Sequence, residues 1–258
     1  MTEPEPEAGE HTPAAERRTL LVFGLAGGGI VVVGIIVVLA LALTTGVPGG
    51  SADVPDGPKE DLPPLAEACP PPTEPPPEAQ EPPATEGDRV VDAESGISYS
   101  EFDDPWLPWT DTWTHGDLKV SYRTGQYFVT EDYEGGQYMA TILSGSVPAA
   151  VNDGSDLDLK CVSEQVAADV RASYYPQPNE MENIRDEAIT LGGRPAWLRE
   201  FRLDFEREGL EATDELVGVA LIDVGRPEAA VLYVSIPGTH SEYDSVVSEV
   251  MESVRPAE

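Results

Sequence analysis

Basic residues, histidine and cysteine are all scarce in this chain of 258 residues. It holds 15 Lys and Arg against 48 Asp and Glu, which gives a formal net charge of −33. Such a balance disfavours binding to nucleic acid or anionic lipid, since both attract basic patches. The three histidines and two cysteines show none of the clustered spacings that are typical of zinc sites. The sequence therefore predicts no metal site, no cofactor and no nucleic-acid partner.

Motifs for catalysis are also missing. No GxxxxGK[ST] nucleotide loop occurs, and Ser144–Ser146 lacks the GxSxG pattern of serine hydrolases. The acidic stretch Asn152–Asp158 lacks the closing glutamate of a calcium-binding loop. Adjacent carboxylates at Asp103-Asp104 or Glu131-Asp132 could serve a glycosidase. We predict no catalytic residue, and an enzyme that acts on wall carbohydrate through paired carboxylates is the alternative.

One long apolar run stands out from this acidic background. Residues 20–43, LLVFGLAGGGIVVVGIIVVLALAL, contain no charged side chain. As a helix they would measure about 36 Å, enough to cross the ~30 Å hydrocarbon core of a bilayer. A cleaved signal peptide ending near Ala40–Ala42 is the alternative, but its apolar region would usually run only about 7–15 residues. The length favours an uncleaved transmembrane helix in the lipid bilayer.

The charges beside the apolar run predict its orientation. Arg17 and Arg18 precede it, whereas the first basic residue after it is Lys59. The positive-inside rule then places residues 1–19 in the cytoplasm as a short acidic tail. We expect a single-pass protein of the cell membrane with an extracellular C-terminal domain. Gly24 and Gly28 form a GxxxG pattern that could support a weak homodimer.

Residues 44–95 are rich in proline and acidic side chains, with runs such as PPPTEPPPE. Proline cannot donate a backbone hydrogen bond and like charges repel, so we predict a disordered, partly polyproline-II linker. Its simplest role is a spacer, and a ligand for an aromatic groove is the alternative. Cys69 in this linker and Cys161 beyond it permit one disulfide in an oxidising compartment. A free, buried Cys161 is the other interpretation.

Periodic apolar patterns over 96–258 predict a folded extracytoplasmic domain. DLKVSYR alternates like a half-buried strand, and the residues around 134–137 suit a hairpin turn. Ser155 and Asp158 resemble a capping box that opens a helix.

The C-terminal half of this domain continues the pattern. ELVGVALIDVG and AAVLYVSIPG are apolar on both faces, as central strands are, and a closing helix begins near Thr239 or Ser241. This order of elements predicts an α+β class, with an antiparallel sheet flanked by helices.

The order of elements resembles the PsbP-like fold. The stretches GISYSEFDDPWLPW, GGRPAWLREFRL and VLYVSIPGTH are also similar to those of membrane-anchored actinobacterial proteins. The resemblance covers residues 96–254 and implies a non-catalytic binding or assembly module. It assigns a role to no individual residue.

Three of the four tryptophans, Trp106, Trp109 and Trp113, lie within DDPWLPWTDTWTHG. Each indole can bury about 150–250 Å² as an anchor of the core, whereas an exposed trio could bind a ligand such as a sugar. The leading hypothesis is a membrane-anchored module that binds an envelope protein or wall component, with these tryptophans as candidate ligand-binding residues. An accessory subunit of a membrane complex is a further alternative.

Overall fold

The computed structural model describes four stretches that all fall within one unit, Lys59–Glu258; they are residues 62–72, 79–84, 87–152 and 158–257. The predicted tail at 1–19, the predicted membrane helix at 20–43 with Gly24 and Gly28, and much of the predicted linker lie outside them. Within the described stretches, no helix combines the length and hydropathy needed to cross a bilayer. The membrane anchor therefore stays a prediction.

Antiparallel strands make up most of the described chain. In chain order they are β1 Arg89–Asp92, β2 Ile97–Ser100, β3 Leu107–Trp109, β4 Trp113–His115, β5 Val120–Tyr133, β6 Gly136–Ser146, β7 Asn179–Leu191, β8 Arg194–Phe205, β9 Asp214–Ile222, β10 Ala230–Pro237 and β11 Arg255–Pro256. The large sheet has the order β3-β5-β6-β10-β9-β8-β7, and β4 pairs with β5 beside β3. A small sheet has the order β1-β2-β11.

Helices pack on both sides of the large sheet. They are α1 Pro64–Ala68, α2 Ala149–Asn152, α3 Leu159–Ser173, a 3₁₀ helix Gly238–Tyr243 and α4 Ser245–Ser253. One hydrophobic core lies between the sheet and α4, and a second lies between the sheet and α3. We call these two sides the α4 face and the α3 face. The predicted antiparallel sheet with flanking helices is confirmed.

The two central strands β9 and β10 supply both cores because most of their residues on each face are apolar. Leu216 and Ala220 point to the α4 face, whereas Val217, Val219 and Leu221 point to the α3 face. Alternation of this kind follows from the two-residue period of a strand. Burial on both sides explains why this part of the sequence shows no polar face.

The ends of two helices differ from their predicted positions. Asp158 is the N-cap of α3, where its carboxylate accepts a hydrogen bond from the Cys161 amide. The predicted cap, Ser155, lies outside the described residues. Before α4, the chain forms the 3₁₀ helix, which is interrupted by a non-helical φ of −129° at His240, and the α-helix starts at Ser245. The predicted start near Thr239 or Ser241 is therefore early by about one to two turns.

Part of the predicted linker packs on the folded domain. Leu65 in α1 and Cys69 are fully buried in the core of the α3 face, and Cys69 is joined to Cys161 by a disulfide. A proline-rich segment can pack in this way because the first turn of a helix tolerates a proline such as Pro64. The short helix that follows places Leu65 in the core.

Residues 79–84 also form hydrogen bonds with the folded domain. The Gln80 amide donates to the Gly193 carbonyl at the turn between β7 and β8, and the Arg255 guanidinium donates to the Pro83 carbonyl. Gly193 has a φ of +76°, and an added Cβ would overlap the Gln80 carbonyl. Strand β1 then begins at Arg89. The structure thus differs from a solvated linker that extends to residue 95, because these positions find partners on the domain.

Candidate binding surface

The sheet separates the three clustered tryptophans. Trp106 points to the α4 face, is only 6% exposed, and lies edge-on to Phe128 with 4.9 Å between ring centroids. It also contacts Tyr243 at 6.2 Å. Trp106 is therefore a core residue, and it cannot share a ligand with the other two tryptophans.

The loop that carries Trp106 is held by a buried glutamine that no sequence motif marks. Gln126 in β5 is 1% exposed, and its side chain donates to the carbonyl of Phe102 and accepts from the amide of Phe102. A buried side-chain amide that pairs with both backbone groups fixes the path of the chain. This contact places β3 against β5 and so decides which tryptophan turns inward.

Trp109 lies on the opposite side, at one end of the α3 face. Leu107 pairs with Tyr127 and Trp109 pairs with Gly125, so Leu107, Trp109, Tyr127 and Val129 project from one face. The rings of Trp109 and Tyr127 meet edge-on at 5.5 Å, and Leu107 and Val129 are 49% and 37% exposed. We call these four residues the aromatic surface.

The aromatic surface is partly open, because Leu107 and Val129 are exposed whereas Trp109 and Tyr127 are half-buried. Helix α3 packs on β8 and β9, whereas the aromatic surface belongs to β3 and β5 at the far end of the sheet. The indole N–H of Trp109 donates to the Asp111 carbonyl, which fixes the position of this half-buried ring. The result is a contiguous apolar patch on a strongly acidic domain.

Trp113 occupies an intermediate position on the same face. Its ring lies 4.6 Å from that of Tyr174 and 5.7 Å from that of Tyr122, and His115 stacks on it at 6.1 Å. Because Tyr122 is fully buried, Trp113 closes the edge of the core and is only half-exposed. Trp109 is likewise half-exposed, and of the three predicted ligand-binding residues it is the one that lies beside the exposed side chains of Leu107 and Val129.

The two pairs of adjacent carboxylates lie in different parts of the domain surface. Asp103 and Asp104 lie exposed in the turn before β3. Glu131 accepts from the Glu211 amide, and Asp132 accepts from the Gln137 side chain. No group of three or more His, Cys, Asp or Glu side chains is placed to hold a metal in the part of the chain that the structure describes.

Glu215 is a buried carboxyl of β9 that no sequence motif marks. It is fully buried on the α3 face, where Tyr138 and Ser235 both donate hydrogen bonds to it. Burial raises the pKa of Glu215 from 4.5 to about 8, against the opposing effect of these two hydrogen bonds. Strand alternation could have predicted that Glu215 is buried, because it lies on the same face of β9 as Val217, Val219 and Leu221.

Tyrosine hydroxyls extend this buried network. Tyr175 lies 2.8 Å from the Ser235 hydroxyl and 2.6 Å from the Tyr233 hydroxyl. Burial raises the pKa of both tyrosines, so they stay neutral. Glu215, Ser235, Tyr175 and Tyr233 are all buried, so their side chains form a polar network inside the core of the α3 face.

Comparison with known proteins gives matches of structure alone. No protein-family model matches the sequence, and no curated protein sequence matches it significantly. Similar solved structures include the cyanobacterial PsbP protein CyanoP from Synechocystis sp. PCC 6803, at 16% identity and a TM-score of 0.43 over 66% of this chain and 91% of that one. The Ran-binding protein Mog1p of Saccharomyces cerevisiae matches at 14% identity and 0.41, over 68% and 97%.

A protein of unknown function from Pseudomonas aeruginosa also matches, at 14% identity and a TM-score of 0.35, over 61% of this chain and 90% of that one. Since all three scores lie below 0.5, the class of this domain rests on its own strand pairings. It is an antiparallel sheet with flanking helices that has a PsbP protein among its structural neighbours. The predicted actinobacterial affiliation and membrane anchor stay predictions from the sequence.

Proposed function

We propose that the folded domain is a non-catalytic binding module that presents its aromatic surface to a component of the cell envelope. The observation that supports the proposal is that exposed Leu107 and Val129 lie beside the half-exposed rings of Trp109 and Tyr127 on two paired strands. Single exposed apolar residues are ordinary on protein surfaces, whereas contiguous patches mark binding sites. The predicted anchor at 20–43 would hold this module at the outer side of the membrane.

The chemistry of the surface favours a ligand with flat apolar faces. Trp109 and Tyr127 offer rings whose positions are already fixed by their mutual contact and by the Asp111 carbonyl. Rigid aromatic side chains lose little conformational entropy on binding. Carbohydrate rings of the cell wall meet this description, and we take wall polysaccharide as the ligand class.

Sedimentation of the full chain with isolated cell walls tests the proposal. The chain is kept in solution by detergent micelles. Trp109→Ala should weaken its binding to the cell walls by about tenfold or more, as loss of an aromatic anchor usually does. Trp197→Ala is the matched control, because Trp197 is also half-exposed but lies on β8, away from the aromatic surface. Equal binding by both variants and the original chain, with unchanged thermal unfolding, would show that this surface is not the binding site.

The location of the module is a separate proposal. A protease added to intact cells should cut the chain after residue 44, because the positive-inside rule places this part outside. Cleavage in lysed cells alone would contradict the predicted orientation.

The accessory-subunit alternative depends on the apolar run rather than on the aromatic surface. Capture of a partner from membranes by the full chain, with loss of capture when residues 20–43 are replaced by an unrelated membrane helix, would favour it. The same exchange would test self-association through Gly24 and Gly28.

A further inference from the structure

The edge strand β7 carries features that the proposed function does not use. It is the last strand of the large sheet, and its backbone pairs with β8 alone among the described strands. With 13 residues it is long for an edge, and one irregularity in pairing lies between Asn183 and Arg185. An edge strand presents unpaired amide and carbonyl groups along its outer side, which can accept another strand.

A groove runs beside this edge on the α3 face. Helix α3 packs on β8 and β9, and a space of about 330 Å³ remains between the helix and β7. Ala167 and Phe201 form part of its apolar lining, together with Met181 of β7, which is 39% exposed. The space is large enough for one or two apolar side chains of a docked segment.

The arginines that line the groove are already paired within the domain. The Arg199 guanidinium contacts Glu164 and Asp186 at 2.8 and 3.1 Å. The Arg171 guanidinium donates to both the side chain and the carbonyl of Asn179 at 2.7 Å. Neither arginine is therefore available to attract an acidic ligand.

The carboxylates that stay available lie on β7 itself. Glu180 and Glu182 are exposed, and neither forms a salt bridge with another residue of the described stretches. Both alternate with Met181, so over residues 180–182 the glutamates project to the face opposite Met181. A complementary strand would carry basic residues on one face and apolar residues on the other.

We propose that β7 accepts an extended segment of a partner protein as an additional strand of the sheet. The segment alternates apolar and basic residues, places an apolar side chain in the groove beside Met181, and places Lys or Arg opposite Glu180 and Glu182. This site is distinct from the aromatic surface, since β7 and β3 lie at opposite ends of the sheet. A second copy of β7 would be a poor occupant because the same glutamates would repel it.

Charged edge strands also occur as protection against aggregation. If β7 served only this purpose, we would expect charged side chains along the whole strand and no apolar groove beside it. Met181 and Ile184 are instead 39% and 49% exposed on this strand. The combination of apolar groove, exposed apolar side chains and unpaired glutamates favours a docking edge.

Two synthetic octapeptides supply the test, one alternating Leu with Lys and the other alternating Leu with Glu. The full chain, held in nanodiscs of zwitterionic lipid, is mixed with each peptide, and hydrogen exchange of the β7 amides is followed by mass spectrometry. The Lys peptide should slow exchange across β7 and leave β3 unchanged, whereas the Glu peptide should change neither. Protection that is absent from β7, or equal for both peptides, would overturn the proposal.

Charge variants separate this site from general attraction to an acidic protein. Glu180→Lys with Glu182→Lys should weaken binding of the Lys peptide by about three- to tenfold, as expected for two exposed ion pairs. The matched control is Glu206→Lys with Glu208→Lys, which makes the same change of charge in the loop between β8 and β9. The milder Glu180→Gln with Glu182→Gln keeps the test valid if charge reversal disturbs folding. Equal weakening by the edge and loop variants would contradict the site, as would dimerisation of the chain through β7 in place of peptide binding.

Discussion

Replacement of Glu215 by glutamine should change how the stability of the domain depends on pH. In the folded state the carboxyl is fully buried and its pKa is raised to about 8, against 4.5 for the ordinary group. Tyr138 of β6 and Ser235 of β10 donate to it, while Asp214 raises its pKa and Arg202 lowers it. The folded chain therefore keeps its proton over a range in which the unfolded chain has lost it.

The sign and size of the effect follow from this difference. Below pH 4.5 both states are protonated, so the contribution of Glu215 to stability is fully present. Between pH 4.5 and about 8 the free energy of unfolding falls by about 1.4 kcal/mol per pH unit, and above that it stays constant. The total loss is about 5 kcal/mol at most. Glutamine does not ionise, so Glu215→Gln removes this dependence.

Urea unfolding of the full chain, followed by tryptophan fluorescence at pH 5, 6, 7 and 8, measures the effect. At pH 5 the two chains should be nearly equal in stability, because the amide costs about 1 kcal/mol by disturbing one hydrogen bond and the original chain has already lost about as much. At pH 8 it should be more stable by several kcal/mol. Glu249→Gln, an exposed position on α4, is the matched control and should follow the original chain. Parallel curves for Glu215→Gln and the original chain from pH 5 to 8 would refute the reasoning.

Further substitutions test the packing of the tryptophans and the docked linker. Trp106→Ala should lower the free energy of unfolding by about 3–5 kcal/mol and Trp109→Ala by less than half as much, in urea titrations; the reverse order would contradict the assignment of Trp106 to the core. Exchange of Cys69 and Cys161 for serine opens a loop of 92 residues and should cost about 4–5 kcal/mol in the same titrations, whereas no change would mean that the bond adds nothing to stability. Gly193→Ala should cost about 1–2 kcal/mol and speed exchange of the Gln80 amide, and an amide as protected as before would show that the turn adapts.

The architecture of the sheet could be predicted because buried faces of strands and helices give the sequence a periodic apolar pattern. Strands β9 and β10 are apolar on both faces since each face packs against its own helix, and β8 alternates between the two cores. The closing helix shows its apolar stripe for the same reason. The residue at which a helix begins is harder to predict. Asp158 and Ser155 are both residue types that cap helices, and the sequence does not show that Asp158 is the cap of α3.

The direction in which each tryptophan points could not be predicted. Trp106 and Trp109 have similar neighbours in sequence, and both follow a proline by one residue. Their opposite orientations depend on the register of β3 with β5 and on Gln126, which lies about twenty residues away and binds Phe102. The contact of Leu65 with the core could not be predicted either, because a single leucine in a proline-rich acidic segment forms no periodic apolar pattern.

The shape of the α3 face links the aromatic surface to the β7 groove. Seven strands in continuous order, spaced about 4.8 Å apart, span about 29 Å, whereas one helix with its side chains is about 10–12 Å wide. Helix α3 covers β8 and β9 near one end, so apolar positions stay uncovered on β3 and β5 and beside β7. The α4 face differs, because the small sheet and α4 together cover Trp106 and its neighbours. A sheet covered unevenly in this way leaves its ligand-accessible apolar positions on one face, which is why both proposed sites lie there.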